Sequence, residues 1–300
     1  MYTLGIDIGS TTSKAVILKD GSEIVASSIV VATVGTDGVS KALENVMKES
    51  GLTQADMACT VATGYGRQTY DGADYQVSEL TCHALGVHYV CPGARTVIDI
   101  GGQDAKVLSL NEEGRMINFV MNDKCAAGTG RFLDVMANIL KLDISQLETE
   151  AAKAVKPASI SSTCTVFAES EVISQLASGT DIPDLVAGIC QSVATRVASL
   201  AKRVGIREEV CMSGGVAQNG GVRNAMAKEL GVEIYYDKRA QELGAIGAAL
   251  YAYAKSSQSY IKQKAYRVPL RRTRADTDRT DAASDVRTAR TYLSLGNENV

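Results

Sequence analysis

The sequence lacks tryptophan altogether and contains only three phenylalanines and four prolines in 300 residues. Its core must therefore be aliphatic, and a hydrophobic content of 45% excludes wholesale disorder. The formal net charge is only −3, so the chain has no basic field for binding nucleic acid or an anionic membrane surface. No apolar run approaches the ~20 residues that span a bilayer. We therefore expect a globular protein with neither a nucleic-acid nor a membrane partner.

Cysteine is present, but its pattern is not that of a secreted disulfide scaffold. The seven cysteines are odd in number and irregularly spaced, at positions 59, 82, 91, 125, 164, 190 and 211. The first residues also lack the basic region and cleavage site of a secretory signal. These features predict a cytoplasmic protein whose thiols are reduced.

The chain contains one internal repeat with a spacing of 92 residues. Residues 5–14 (GIDIGSTTSK) realign on residues 97–106 (VIDIGGQDAK), and strand-like and helix-like segments alternate through the body. This pattern predicts an α/β fold of two duplicated domains with a cleft between them. We assign residues 1–94 plus about 241–255 to the first domain and 95–240 to the second. Residues 256–300 lack an apolar period and are predicted to be a disordered or foreign tail.

Both copies of the repeat carry groups that bind phosphate. A glycine in a hairpin turn lets backbone N–H groups approach an anion, and hydroxyls and a lysine add further donors. A third glycine turn follows a later predicted strand and offers the same backbone geometry. The predicted nucleotide-binding residues are Ser10, Thr11, Thr12, Ser13, Lys14, Gly101, Gly102, Gln103, Asp104, Gly214, Gly215, Gln218, Asn219 and Gln241. Asp7 or Asp104 is the predicted catalytic carboxylate, which would hold hydrated Mg²⁺ or orient the attacking water, and the sequence does not separate the two.

These three turns, in this order, resemble the phosphate and adenosine motifs of the actin, Hsp70 and sugar-kinase ATPase superfamily. The resemblance implies two ribonuclease H-like domains with ATP and Mg²⁺ in the cleft between them. A small-molecule kinase and a non-catalytic ATP-binding regulator of the same fold are alternatives that the turns alone leave open.

Cys125 and Cys164 each precede a predicted helix, over Ala126–Leu140 and Thr165–Ala177, where the helix N-terminus favours a thiolate. The other five cysteines lie in apolar contexts that are typical of buried structural thiols. Two thiolates supply half of a four-thiolate [4Fe–4S] site, which two copies of the chain could complete across a two-fold axis. A zinc pair, a redox dithiol and two unrelated cysteines are the alternatives.

Five segments together closely resemble the family of activators of (R)-2-hydroxyglutaryl-CoA dehydratase: DIGSTTSK (7–14), TGYGR (63–67), DIGGQDAK (99–106), KCAAGTG (124–130) and SGGVAQN (213–219). The resemblance covers about residues 1–255. It implies a homodimeric ATPase with one [4Fe–4S] cluster per dimer, bridged by Cys125 and Cys164 of each chain. It also implies that ATP hydrolysis drives one electron, received from ferredoxin or flavodoxin, to a 2-hydroxyacyl-CoA dehydratase in anaerobic amino-acid fermentation. The ATPase component of benzoyl-CoA reductase is the alternative within the family.

Overall fold

The computed structural model describes residues 1–161 and 164–267, with side chains described up to residue 258. The chain divides into unit 1, which comprises Met1–Gly86 and the chain from Gly244 onward, and unit 2, which comprises Val87–Leu243. The predicted tail at 256–300 falls partly on the last helix, which ends at Arg267, and its remainder (268–300) lies outside the described residues. Within the described part of the chain, no helix is both long and apolar enough to cross a membrane.

Ten strands and eight α-helices follow one another in the described ranges. The strands are β1 (Tyr2–Ile8), β2 (Thr12–Lys19), β3 (Glu23–Val31), β4 (Met57–Thr63), β5 (Tyr75–Gln76), β6 (Thr96–Ile100), β7 (Ala105–Leu110), β8 (Met116–Asn122), β9 (Val210–Ser213) and β10 (Ile234–Tyr236). The helices are α1 (Gly38–Ser50), α2 (Glu79–Val90), α3 (Gly130–Ile139), α4 (Leu147–Ala151), α5 (Thr165–Ala177), α6 (Ile182–Val204), α7 (Gly220–Leu230) and α8 (Leu243–Arg267).

Each unit is built around a five-stranded sheet of the same topology. The strand orders are β3-β2-β1-β4-β5 in unit 1 and β10-β9-β6-β7-β8 in unit 2, so that β6 to β10 repeat β1 to β5. In both sheets the first three strands form antiparallel hairpins and the last two add in parallel. This is the ribonuclease H-like arrangement, and the predicted α/β fold with a duplicated domain is confirmed.

The core of unit 1 follows from the two-residue period of its first strand. Leu4, Ile6 and Ile8 are fully buried on one face of β1 and pack with Ala42 and Val46 of α1. The intervening residues point to the opposite face, where the Thr3 hydroxyl donates to the Ala249 carbonyl of α8 at 3.0 Å. Asp7 belongs to this second face, so the register of β1 fixes the side of the sheet on which the carboxylate lies.

The core of unit 2 is centred on the long helix α6. Its buried positions Val186, Ile189, Val193 and Val197 keep helical spacing, and they pack in one cluster with Phe132 and the strands of the sheet. Each such aliphatic side chain contributes about 1.5–3 kcal/mol on burial. Pro183 in the first turn costs nothing there because the first N–H groups of a helix have no intrahelical acceptor. This apolar spacing by itself indicates a helix, and the structure has one over Ile182–Val204.

Two differences from the sequence-based expectation bear on the site. The strand β4 and the helix α2 were not predicted, because β4 consists mostly of Ala, Thr and Cys and lacks a strong apolar alternation. Helix α3 was predicted to begin at Ala126 and begins instead at Gly130. Thr129 has extended backbone (φ −125°, ψ 172°) and is the N-cap, so the preceding residues form a turn rather than the first helical turn.

A half-buried histidine makes the stability of unit 2 depend on pH. Burial, followed by the charge of Arg95, lowers the pKa of His88, whereas Glu113 opposes the shift. An unfolded histidine, with a pKa of about 6.5, therefore binds a proton before the folded one as the pH falls. The contribution of His88 is thus present above about pH 6.5 and is lost below it.

We expect His88→Phe, which keeps a ring beside Gly114, to flatten this pH dependence. Urea unfolding at about pH 7.5 and about pH 5.5 should show a smaller loss of unfolding free energy in the variant than in the wild type. Equal losses in the two proteins would assign the acid sensitivity to another group.

Candidate functional site

The turn between β1 and β2 holds the first group of predicted nucleotide-binding residues. The N–H of Gly9 donates to the carbonyl oxygen of Thr12 at 2.9 Å and closes the turn. Strand pairing places Asp7 opposite Lys14, and Lys14 Nζ donates to Asp7 Oδ2 at 3.0 Å. Both of these side chains are nearly buried, whereas the hydroxyl residues of the turn are partly exposed. The turn therefore combines accessible N–H and hydroxyl donors with a buried ion pair beneath them.

The turn between β6 and β7 repeats this geometry and adds a second carboxylate. The N–H of Gly101 donates to the carbonyl oxygen of Asp104 at 2.9 Å. Lys106 Nζ lies 3.4 Å from Asp99 Oδ2 and 2.6 Å from Asp104 Oδ2. The hydroxyl of Ser213, at the end of β9, donates to Asp99 Oδ1 at 2.8 Å. Both oxygens of Asp99 are thus engaged by protein groups.

The three carboxylates, Asp7, Asp99 and Asp104, differ in whether they keep an oxygen that a ligand could bind. Among the described residues, Asp7 Oδ1 and Asp104 Oδ1 have no hydrogen-bond donor, whereas neither oxygen of Asp99 is free. Asp99 was not among the predicted site residues, although the repeat aligns it with Asp7 and so contained the signal. The geometry makes Asp99 an internal support of its turn and leaves Asp7 and Asp104 with an oxygen available for a ligand.

In each unit a glycine with positive φ packs against the backbone at the end of the strand that carries the aspartate. Gly64 (φ +88°) follows β4, and Gly214 (φ +84°) follows β9. A Cβ on Gly64 would lie 2.6 Å from the carbonyl oxygen of Ile8, and one on Gly214 would lie 2.3 Å from that of Ile100. Only glycine permits this backbone conformation and this approach together.

The equivalence of these glycines assigns a place to the TGYGR segment at 63–67. Thr63 pairs with Asp7 in the parallel register of unit 1, as Ser213 pairs with Asp99 in unit 2. The segment is therefore the unit 1 counterpart of the glycine turn at Ser213, a relation that the sequence did not reveal because β4 was not predicted. Tyr65, in the middle of this turn, is 80% exposed.

Gly214→Ala should lower the free energy of unfolding by far more than a substitution at a glycine whose only special feature is a positive φ. Gly205 also has positive φ (+87°), but no atom lies within 4 Å of the Cβ that alanine would add there. We expect Gly205→Ala to cost about 1 kcal/mol of unfolding free energy and Gly214→Ala about 3 kcal/mol or more, since the β6 backbone must shift as well. Urea denaturation of the two variants measures the difference, and equal losses would contradict the close approach to Ile100.

Not every predicted nucleotide-binding residue joins the turns. The Ser13 side chain is buried on the opposite face of the sheet from Asp7, against Gly38 at the start of α1, because successive residues of a strand alternate between faces. The Asn219 side chain accepts the N–H of Val222 at 3.0 Å and caps α7. Ser13 and Asn219 are thus committed to packing and capping in this structure.

The remaining predicted residues of the third turn lie near the Gly214–Gly215 backbone. Gln241 packs beside Gly215, with Nε2 3.4 Å from the place of a Cβ on that glycine. Gln218 accepts a hydrogen bond from the Tyr236 hydroxyl and donates to the Lys238 carbonyl at 3.3 Å. The Gln241 side chain therefore lines the turn, whereas Gln218 links it to the segment after β10.

Cys125 lies in a turn between β8 and α3. The Asn122 side chain donates to the carbonyl oxygens of Cys125 (2.9 Å) and Ala127 (3.3 Å), and the Thr129 hydroxyl donates to that of Ala126 (2.7 Å). The prediction that Cys125 stands at a helix N-terminus is wrong, because the helix begins five residues later. Its partly exposed thiol is instead held by a turn that side chains stabilise.

Cys164 is the N-cap residue of α5 and its thiol is exposed, so its predicted place at a helix N-terminus is confirmed. Helix α5 packs against α3, the helix that follows Cys125. The other five cysteines are all buried, as predicted. Burial raises the pKa of Cys82 and Cys190 to about 12, which keeps those thiols protonated and inert.

Two backbone hydrogen bonds join the second turn to the helix after Cys125. The N–H of Gly130 donates to the carbonyl oxygen of Gly101 at 2.9 Å, and that of Arg131 donates to Gly102 at 2.8 Å. A Cβ on Gly130 would lie 3.2 Å from the same Gly101 oxygen, so the helix end sits directly on the turn. Any displacement of this turn therefore acts on the first residues of α3.

Duplicated ribonuclease H-like sheets with an Asp-x-Gly hairpin in each are the fold found in the actin and sugar-kinase ATPases. The fold is shared, for example, with the ethanolamine utilization protein EutJ from Carboxydothermus hydrogenoformans, at a TM-score of 0.56 over 83% of this chain and 90% of that one, although the sequences are only 17% identical. Residues 4–252 match the BadF/BadG/BcrA/BcrD ATPase family, and the chain belongs to it.

Three relatives give the resemblance its detail. The chain is 59% identical to the (R)-2-hydroxyglutaryl-CoA dehydratase activating ATPase of Acidaminococcus fermentans over 86% of this chain and 99% of that protein. It superposes with a TM-score of 0.86 on the activator of the 2-hydroxyisocaproyl-CoA dehydratase from Clostridium difficile with bound ADPNP, with 53% identity over 92% and 100% of the two chains. A component of the benzoyl-CoA reductase of Thauera aromatica is 31% identical over 83% of this chain and 92% of that protein. The predicted resemblance to dehydratase activators is confirmed.

Proposed function

We propose that this ATPase activates a 2-hydroxyacyl-CoA dehydratase, most specifically an (R)-2-hydroxyglutaryl-CoA dehydratase, by ATP-dependent transfer of one electron in anaerobic amino-acid fermentation. The observation that carries the proposal is the direct hydrogen bonding of the unit 2 turn to the helix that follows an accessible cysteine, in a chain 59% identical to an activating ATPase. The lower identity to the benzoyl-CoA reductase component favours a dehydratase as the electron acceptor.

We propose that the hairpin turn of each unit binds phosphate groups. The N–H groups and hydroxyls of Ser10, Thr11 and Thr12 would bind phosphate oxygens, with the glycines at 101 and 102 contributing N–H groups from the second turn. Asp7 and Asp104 each have one oxygen without a donor among the described residues, which suits either one to hold hydrated Mg²⁺ or to orient the attacking water. Gln241 would line the nucleoside end of the site beside Gly215.

The accessible thiols fit one half of a [4Fe–4S] site. Cys125 and Cys164 are the two cysteines that are not buried, and they precede packed helices. Within the described residues of one chain, no three His, Cys, Asp or Glu side chains are grouped as metal ligands. Because a cubane cluster takes four thiolates, we propose that two chains contribute two each. A cluster held there would supply the transferred electron, which ferredoxin or flavodoxin would provide.

Exposed apolar side chains beside both cysteines support a homodimer through this region. Val166 (66% exposed) and Phe167 (68%) follow Cys164 in the first turn of α5. Ile117 (57%) and Phe119 (42%) lie on one face of the edge strand β8, which leads to Cys125. Exposed apolar side chains at such positions are typical of a protein interface, and we propose that the second copy covers them.

The hydrogen bonds between the turn and α3 supply a route for coupling. Binding or release of a γ-phosphate changes the anion contacts of the turn at Gly101–Asp104. The carbonyl groups of Gly101 and Gly102 would transmit that change to Gly130 and Arg131, and so to the segment that holds Cys125. ATP then couples to electron delivery to the extent that it binds the two arrangements of this segment with different affinity.

The test is to measure iron, sulfide, the visible spectrum and native mass on anaerobically purified protein. About two irons per chain in a dimer are expected for one shared cluster. Reduced protein should then transfer electrons to a 2-hydroxyacyl-CoA dehydratase only when ATP is hydrolysed. Iron-free protein that hydrolyses ATP would contradict the proposal and favour a small-molecule kinase. Iron-containing protein that transfers electrons to benzoyl-CoA reductase and not to the dehydratase would overturn the choice of acceptor.

A further inference from the structure

The segment 155–161 leads to Cys164 and is held by side chains of the two helices that follow it. Cys164 is the N-cap residue of α5, but its side chain makes no capping hydrogen bond. The thiol is therefore available as a ligand, and its own bonding does not fix the start of the helix. The position of Cys164 must depend on how the chain before it is anchored.

The carboxylate of Glu171, on α5, binds the end of this segment. The backbone N–H of Ser161 donates to Glu171 Oε1 at 2.9 Å and to Oε2 at 3.1 Å, and the Ser161 hydroxyl donates to Oε1 at 3.0 Å. One turn further along the helix, Gln175 Nε2 donates to the carbonyl oxygen of Ser159 at 2.8 Å. Glu171 and Gln175 are four residues apart, so they project from the same face of α5. The segment therefore runs antiparallel to α5 and is bound to that face.

The start of the segment is bound to α6. Asp184 Oδ1 accepts the N–H groups of Val155 (2.8 Å) and Lys156 (2.9 Å), and the Asp184 carbonyl oxygen accepts that of Ala158 at 2.8 Å. One turn later, a Cβ on Gly188 would overlap the carbonyl oxygen of Ala158, so the segment lies directly on the helix. With its start fixed in this way, the contacts of its end with Glu171 determine the direction in which the chain continues toward Cys164.

Both accessible cysteines are thus held through backbone groups, but over different distances in the chain. Asn122 donates to the carbonyl oxygen of Cys125, three residues away, and acts within one turn. Glu171 lies ten residues after Ser161 and joins the segment to the helix that it enters. Hydrogen bonds to a carboxylate are roughly twice as strong as those between neutral groups. Glu171 is therefore a stronger anchor on α5 than the neutral amide of Gln175.

We propose that Glu171 is a positioning residue of the cluster site: by tying Ser161 to α5, its carboxylate fixes the backbone from which Cys164 would bind iron. The inference rests on the proposed function, because it presupposes a cluster held by Cys164. Glu171 would not bind iron itself, since Ser161 donates to both of its oxygens. Its removal should therefore weaken iron binding without taking away a ligand.

The experiment compares the rate at which a coloured ferrous-iron chelator removes iron from anaerobically purified wild-type and Glu171→Ala protein. Alanine keeps the helix propensity of α5 and removes all three hydrogen bonds from Ser161. We expect the variant to lose iron about 10-fold faster, because the groups that hold a metal ligand in place typically change metal affinity by about 10-fold or more. Hydrogen exchange should also show a faster-exchanging Ser161 N–H in the variant.

Two further variants separate positioning from a general effect of charge. Glu171→Gln retains an oxygen that can accept the Ser161 N–H, so it should lose iron within about 3-fold of the wild-type rate. Glu169→Ala removes a carboxylate from the same helix, and within the described ranges Glu169 makes no hydrogen bond or ion pair. This control should keep the wild-type rate. Urea unfolding checks that each variant is folded under the assay conditions.

The inference is overturned if folded Glu171→Ala keeps both the wild-type rate of iron loss and the slow exchange of Ser161. It is also overturned if Ser161 exchanges faster while iron loss stays unchanged, or if Glu169→Ala loses iron as fast as Glu171→Ala. These results all require iron in the wild-type protein. Iron-free wild-type protein would overturn the proposed function and this inference with it, so the two failures are distinguishable.

Discussion

Replacing Asp7 by asparagine is expected to lower ATP turnover about 100-fold to 1000-fold, the usual effect of removing one preorganised electrostatic group. In the proposed function, Asp7 Oδ1 would hold hydrated Mg²⁺ or orient the attacking water, while Oδ2 is held by Lys14 at 3.0 Å. Asparagine keeps the shape and removes the charge. It also leaves Lys14 as a buried cation without its partner, so we expect a stability loss of about 3 kcal/mol, and turnover must be assayed well below the unfolding midpoint.

Asp99→Asn is the matched control for this experiment because Asp99 is the counterpart of Asp7 in the repeat. Its two oxygens are engaged by Ser213 and Lys106, and Lys106 keeps Asp104 as a partner after the substitution. We therefore expect a smaller stability loss than in Asp7→Asn and a turnover within about 10-fold of the wild type. If folded Asp99→Asn loses as much turnover as Asp7→Asn, the distinction between a supporting and a catalytic carboxylate is wrong.

Asp104→Asn tests whether the free oxygen of Asp104 takes part in catalysis. Full ATP turnover in this variant would remove Asp104 from the proposed catalytic carboxylates.

Cys125→Ser is expected to remove nearly all bound iron and to abolish electron transfer to the dehydratase. Serine preserves the turn, because Asn122 bonds to the carbonyl oxygen of residue 125 rather than to its side chain. The soft thiolate that iron requires is lost, and a bridged site then has only two of four thiolates. Iron analysis and the visible spectrum measure the loss of the cluster. Native mass should show dissociation of the dimer, because the proposed cluster links the two chains.

Two variants test whether this result is specific. Cys164→Ser should have the same effect as Cys125→Ser, since each proposed cluster takes both cysteines from both chains. Cys190→Ala, at a buried thiol in the core of unit 2, should keep its iron, although it costs stability. A Cys125→Ser protein that still contains about two irons per chain would end the bridged-cluster model.

The local pattern of the sequence was sufficient for the duplicated hairpins. Alternation of Leu4, Ile6 and Ile8 fixed the buried face of β1, and a repeat of the same apolar residues around Asp99 predicted a second sheet. These features depend on contacts within about ten residues, where strand period and turn chemistry decide the conformation. The helical spacing of α6 is likewise a local feature. The ATPase activity and the activator function were predicted from the resemblance to family motifs, because no local pattern of apolar residues indicates them.

Other parts of the site depend on contacts between distant segments, and the sequence did not reveal them. The strand β4 is stabilised by its parallel pairing with β1 rather than by its own weak pattern, so the equivalence of Thr63-Gly64 and Ser213-Gly214 emerged only from the register. The start of α3 also depends on contacts with a distant segment. Gly130 and Arg131 donate to the carbonyl groups of residues 101 and 102, which lie almost thirty positions earlier.

The sequence by itself determined the fold class, the duplicated Asp-x-Gly turns and the identity of the unusual cysteines, because each of these is written in residues that are close together in the chain. The tertiary structure decided which carboxylate oxygens are free, which side chains are committed to caps, and how the turn at Gly101 meets the helix after Cys125. Hydrogen bonds act over a few ångströms, and only the folded chain brings such distant residues that close.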